Sequence, residues 1–207
     1  MDRKKKNTNK YLTKRQLRQV KNMLYKNKEL HHTSYTTTEY DYIPAAGLFT
    51  DMTAVSRGDG DQNRIGDKVL IDKVFTQLIF KALPVPSTET PPAIRVLFVQ
   101  SKTGPLTIAN MPLFEQPCDL DDMYVLDDSL FHLPATAAYN SGGTNYLVCQ
   151  NKRFRKKIRD VKKRLVQYDG TVTGATNNGI YMYICHNMAS DTTVEYAGFR
   201  QFYFKNI

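Results

Sequence analysis

The sequence predicts an all-β fold, a sandwich or barrel, on three observations. After residue 46, short runs rich in Val, Ile, Thr, Tyr and Phe recur between clusters of Gly, Pro, Asn and Asp. Helical periodicity is sparse over the same stretch. The chain has 207 residues, enough for one domain with a sizeable apolar core and an arm.

The arm comes first. "MDRKKKNTNKYL" (1–12) is too polar to pack and is expected to be disordered. Over about 13–29 the spacing predicts a helix. Thr13 and Gln16 fit a capping box, and Leu17, Val20 and Leu24 make one narrow apolar stripe. A helix this short gains order only against a polyanion or a neighbour. Its stripe lacks Trp and Phe, which weakens a membrane-surface reading. Residues 31–46, with the Thr/Tyr-rich "TSYTTTEYDY", read as an extended connecting segment.

The body, 47–207, follows. In "GLFTDMTAVS" (47–56), Leu48, Thr50, Met52 and Ala54 alternate with Phe49, Asp51, Thr53 and Val55. "KVLIDKVFTQLIFKAL" (68–83) puts Val74, Thr76, Leu78 and Phe80 on one face and Phe75, Gln77, Ile79 and Lys81 on the other. "PVPSTETPP" ends that strand, because proline cannot donate to a ladder. "AIRVLFVQS" (93–101) is apolar on both faces, as in a strand buried from two sides. "MYVLDDSLFHL" (123–133), "LVQY" (165–168), "GIYMYICHN" (179–187) and "TVEYAGFRQFYFK" (193–205) complete the strands, with "YNSGGTN" and "YDGTVTGATNNG" as turns. The block 151–164 has two readings. Phe154, Ile158, Val161 and Leu165 have helical spacing, which pattern alone slightly favours; as a strand, Arg153, Arg155, Lys157 and Arg159 share one face. Counting that block gives about eight strands. Their irregular, often long connections suit a jelly roll better than an up-and-down barrel.

Charge points to the partner. Residues 1–30 hold eleven Lys/Arg against two acids, a net of +9 that equals the net charge of the whole chain. The block "NKRFRKKIRDVKKR" (151–164) holds nine Lys/Arg and Asp160, whereas "EQPCDLDDMYVLDD" (115–128) holds six acids and no base. A charge run alone often marks only a solvated face. Arm and block together point to nucleic acid. The candidate phosphate contacts in the first part of the arm are Arg3, Lys4, Lys5, Lys6 and Lys10. Those of its helical part are Lys14, Arg15, Arg18, Lys21, Lys26 and Lys28, and those of the block are Arg153, Arg155, Lys157 and Arg159. Tyr11 and Tyr25 are candidates for stacking on bases.

Other chemistries find little footing. "SRGDGDQNRIGDKVLID" (56–72) starts like a calcium loop at Asp59, but Arg64 and Leu70 stand where Gly and Glu are required. Asn63 breaks a dinucleotide fingerprint from Gly58. What remains is a Gly/Asp turn feeding a strand; Arg57-Gly58-Asp59 within it is a chance-frequency adhesion tripeptide. Cys118, Cys149 and Cys185 have no metal or redox spacing and read as small apolar residues in a reducing compartment. His31 and His32 lie at the junction of arm and body without metal-ligand spacing, while His132 and His186 read as structural residues in strands. Ser141 lacks the flanks of a nucleophile elbow. The acidic cluster, Asp121 and Asp122 above all, is the one weak candidate for a metal or for a β-sandwich enzyme or lectin. No enzyme activity is expected. No apolar run is long enough to span a bilayer and the basic N-terminus has no apolar signal segment, so no membrane insertion is expected.

Over roughly 45–207 the ordered segments resemble a family. "GDGDQNRIGDKVLIDKVFTQLIFKA", "AIRVLFVQS", "MYVLDDSLFHL", "KKRLVQYDGTVTGATNNGIYMYI" and the aromatic last strand follow one another as in the single-jelly-roll capsid proteins of satellite tobacco necrosis virus and its relatives. They are also similar to capsids of small circular single-stranded DNA viruses that encode a replication initiator. The resemblance implies an eight-stranded jelly roll of two packed four-stranded antiparallel sheets and a self-assembling, smallest icosahedral shell. It also implies that the arm points inward to a single-stranded DNA or RNA genome. It makes 151–164 a strand, with its basic face on an interior wall or subunit contact. It places the chain in a virion, with assembly in the host nucleus or cytoplasm, "RKKK" (3–6) being the import candidate. A host receptor follows from it, unidentified. Some relatives bind Ca2+ between subunits, so a structural Ca2+ at subunit contacts is what the resemblance allows, with no ligand carried over residue by residue. Loops 84–92, 102–122 and 134–146 would face outward or meet neighbours. The alternative class is a cellular nucleic-acid-binding β-barrel.

Overall fold

The structure is a computed structural model that describes residues 30–82, 92–133, 138–141, 144–147, 154–158, 164–188 and 194–207. In chain order its strands are β1 (His31–Tyr42), β2 (Leu48–Asp51), β3 (Lys68–Ala82), β4 (Ala93–Ser101), β5 (Met123–His132) and β6 (Ala138–Ser141). Then come β7 (Thr144–Leu147), β8 (Phe154–Ile158), β9 (Leu165–Gln167), β10 (Ile180–His186) and β11 (Val194–Asn206). They form two antiparallel sheets, and the all-β expectation holds. The expected arm helix over 13–29 lies outside the described residues.

The larger sheet runs β1–β11–β3, and three short strands then share the far edge of β3. β9 pairs with Lys68–Leu70, β8 with Val74–Leu78 and β7 with Ala82, all antiparallel, so together they act as one interrupted fourth strand. β6 pairs with β7 beyond them. The smaller sheet runs β2–β10–β4–β5.

Two expectations change here. His31–Tyr42 is no connector: it pairs with β11 along its length, apart from an irregularity between Thr37 and Asp41. Within 47–56 only Leu48–Asp51 is strand. Asp51 ends it, its Oδ1 accepting hydrogen bonds from the Thr53 N–H (2.8 Å) and hydroxyl (2.7 Å). Such side chain-to-backbone bonds compete with a ladder and favour turns. In the 151–164 block, the described part is strand, not helix.

Alternation in the sequence becomes layering. On β3, Val74, Thr76, Leu78 and Phe80 are buried, while Phe75, Gln77, Ile79 and Lys81 are half-buried. The buried row meets Ile94, Val96 and Phe98 of β4, Ile180, Met182 and Ile184 of β10, and Phe202 and Phe204 of β11 in the main core. β4 and β10 are buried at every position, because the smaller sheet has a second cover. Leu97, Val99, Tyr181, Tyr183 and Cys185 on its other face lie under Leu106, Met111, Phe114 and Cys118. Segment 102–122, expected to face outward or meet neighbours, is largely exposed and also lays Leu106, Met111, Phe114 and Cys118 over that sheet as a lid.

Close approach dictates two glycines. A Cβ at Gly198 would sit 2.2 Å from the Gln77 carbonyl oxygen across the β11–β3 ladder. Gly47 has φ +88°, and a Cβ there would meet the Tyr183 ring at 2.3 Å.

Candidate nucleic-acid interface

The cationic residues singled out by charge fall mostly outside the described residues. That applies to every candidate in the arm, to Tyr11 and Tyr25, and to Arg153 and Arg159. Arg155 and Lys157 lie in β8, where register sets them opposite Gln77 and Phe75 of β3. The basic block thus runs beside the outward row of β3.

That outward face of the larger sheet carries aromatic rings among cations. Tyr203 pairs with Lys73 and with His32 in the two ladders. The Lys73 ammonium stands 4.1 Å from the Tyr203 ring centroid, and the His32 ring stacks on Tyr203 at 5.5 Å. One register step along, Phe75 and Phe199 pack at 5.4 Å. At the far end the Lys81 ammonium bonds a Glu195 carboxylate oxygen at 3.0 Å and lies 5.3 Å from the Tyr40 ring. From Lys73 to Lys81 the row spans about 26 Å at strand rise. Half-buried π faces beside ammonium groups can stack on bases and attract phosphates. The sequence reading missed these rings, although alternate aromatics in "FRQFYF" (199–204) signal them.

The acidic candidates do not converge. Asp121 and Asp122 are exposed, and Asp121 N–H donates to Asp119 Oδ1 at 2.9 Å. Asp122 carbonyl oxygen accepts from Lys102 N–H at 2.8 Å, and the Lys102 ammonium donates to Leu120 carbonyl oxygen. Asp127 accepts from Ser129 hydroxyl, and Asp128 is taken by Arg95. Among the described residues no three His, Cys, Asp or Glu side chains gather as a metal site. Cys185 is buried in the second apolar cluster, where desolvation pushes its thiol up to about 11, and Cys118 packs against that cluster. Cys149 lies outside the described residues. His186 Nε2 donates to Ile43 carbonyl oxygen (2.8 Å) and its Nδ1 accepts from Met188 N–H, a structural role as expected. Among the described residues no helix is long and apolar enough to cross a membrane.

Two arginines that charge counting passes over hold the body in shape. Arg64, 0 % exposed, uses all five of its N–H donors. Nε donates to Val55 O (3.2 Å), Nη1 to Gly66 O (2.6 Å) and Asp67 Oδ1 (3.2 Å), and Nη2 to Gly170 O (2.6 Å) and Val172 O (2.8 Å). Its guanidinium lies 4.4 Å above the Tyr168 ring. The Gly/Asp turn is therefore stapled to a loop more than a hundred residues away. Arg57 at its start pairs with Asp67 at 3.7 Å. Arg95 grips Asp128 with two bonds (2.9 and 2.7 Å) and donates to Leu113, Phe114 and Gln116 carbonyl oxygens of the lid.

Comparison with known protein families and with curated proteins finds no match to this chain.

Proposed function

We propose that the chain is a viral coat protein. In this reading the sandwich is a single jelly roll, copies of it close into the smallest icosahedral shell, and the basic arm packages single-stranded nucleic acid. The observation that carries the reading is the nesting of strand pairs. The first strand neighbours the last (β1–β11), the second the next to last (β2–β10), the third the interrupted strand (β3 with β8 and β9), and the central two each other (β4–β5). Nested antiparallel pairs wrapped over two layers are how a jelly roll winds. Charge gives the second support. Residues 1–30 carry a net of +9, and the remaining 177 sum to zero. A neutral body lets copies meet without heavy repulsion, while the arm supplies the counter-charge that a packed polyanion needs. The aromatic and basic face of the larger sheet would then be the interior wall.

The test is assembly. Purified full-length chain should give uniform particles by electron microscopy that protect nucleic acid from nuclease. DNase and RNase sensitivity after disassembly identifies the genome type. A chain lacking residues 1–30 should fold and form empty or irregular shells. If the full chain stays monomeric while binding single strands, the cellular β-barrel reading replaces this one.

A further inference from the structure

We propose that the cleft between the edges of the two sheets is an oxyanion site built on Arg200. It lies where β1 faces the end of β2 and the residues just after it. The cavity has a volume of about 130 Å³, and its lining includes Thr33, Ser34, Tyr35, Asp51, Ala54 and Arg200. A neighbouring recess that shares Tyr35 and Arg200 adds Thr37, Thr50 and Thr76. Hydroxyls and the apolar side chains of Met52, Leu78, Met182 and Phe202 share the lining around one guanidinium.

Arg200 is the exception among the arginines whose side chains the structure describes. Arg57, Arg64, Arg95 and Arg164 each pair with a carboxylate, and the last three also donate to carbonyl oxygens. The Arg200 guanidinium stands over the Tyr35 ring, 4.5 Å from its centroid, and no described hydrogen bond uses its N–H groups. Burial lowers its pKa from the ordinary value, which marks a charge held at a cost. Asp51 is the acid whose charge offsets it, yet Asp51 spends its oxygens on Thr53 and on Ala175 N–H. Arg200 thus lines a cavity of mixed polarity with a guanidinium that no described hydrogen bond engages, and the planar fork of a guanidinium matches a tetrahedral oxyanion. Ring and charge pre-position it, so little side-chain freedom is lost on binding. The Asp51 carboxylate opposes an anion and keeps the affinity modest. The site stands apart from the sheet face and does not depend on how that face is used.

Inorganic phosphate is the probe, titrated calorimetrically into the full chain at constant ionic strength. The expected result is one saturable site per chain that weakens at least tenfold in Arg200→Gln and partly in Arg200→Lys, above any non-saturating background from the arm. A single-stranded oligonucleotide that competes with phosphate only when Arg200 is present would identify backbone phosphate as the ligand's source. Equal binding by the wild type and both variants overturns the proposal. Because Arg200→Gln tests a half-buried position, a second measurement uses the wild type alone. Phosphate should slow dicarbonyl modification of Arg200, mapped by mass spectrometry, and an unchanged rate also overturns it.

Discussion

Arg64 shows how much one buried cation can decide. Replacing it with Ala would leave Val55, Gly66, Gly170 and Val172 carbonyl oxygens without the donor they now share. An orphaned buried polar group costs about 1–3 kcal/mol, so a loss on the order of 4 kcal/mol is expected even after partial hydration. Arg64→Lys should recover little, since an ammonium cannot reproduce the fork. Urea unfolding of the three proteins checks both statements. The tyrosines give a pH prediction. Burial pushes Tyr181 and Tyr183 up to about 12 from 10.0. The folded state therefore holds these protons more tightly than the unfolded chain. Their stabilisation is intact below pH 10 and is lost as pH rises towards 12. Tyr181→Phe should flatten the alkaline decline in circular dichroism, and an unchanged slope would refute the assignment. At this scale the sequence was a poor guide. Arg64 stands in "QNRIGD" and Arg95 in "AIRVL", and nothing in either string says that the guanidinium is enclosed. Their acceptors are backbone carbonyls brought in from distant segments, which carry no residue signature.

Elements were far more legible, for a physical reason. β3, β4, β10 and β11 are long or apolar enough for alternation or continuous burial to speak, and the predicted bounds fall within two residues of the observed ones. The sequence pattern makes the β6–β7 hairpin look like a bare turn. Its signal was present, since Gly142-Gly143 separates two four-residue strands. β1 passed as a connector because its Thr and Tyr residues suit a strand without demanding a core. The lid was not foreseen, since "LTIANMPLFEQPCD" has no regular period, although the two-faced burial of β4 required some second cover. Arg95 is what holds that lid. Arg95→Ala should free residues 113–118 while the main core persists. Hydrogen exchange would show the outer sheet face, Leu97 and Val99 with it, losing protection before Val74 or Phe202. Gly198→Ala tests the β11–β3 ladder instead. A methyl 2.2 Å from backbone oxygen forces the strands apart, and global unfolding at lower denaturant is the expected outcome.

The whole molecule is two-sided. One sheet is sealed by its lid, and the other offers half-buried rings and cations. In the sequence the arm's charge was plain, whereas the ring–cation face was not, because its partners lie far apart along the chain. Charge and stacking can be separated on that face. Lys73→Ala should reduce the salt slope of oligonucleotide binding by about one. Tyr203→Leu should leave the slope alone and weaken binding by about 1–3 kcal/mol, the worth of one stacked base. Fluorescence titration over a salt series distinguishes the two, and identical behaviour of both variants would count against a stacking role.

Strand order also sets a timetable. β11 lies between β1 and β3 and holds both, yet it is last in chain order. During synthesis β1 and β3 emerge early with no partner between them, and the larger sheet cannot close until its central strand leaves the ribosome. A chain stopped short of β11 keeps only the part of the larger sheet built on β3 with β7, β8 and β9, and β1 is left without its partner. Closure of the larger sheet thus waits on the latest-made of its strands, and until then the buried row of β3 keeps one flank open to solvent.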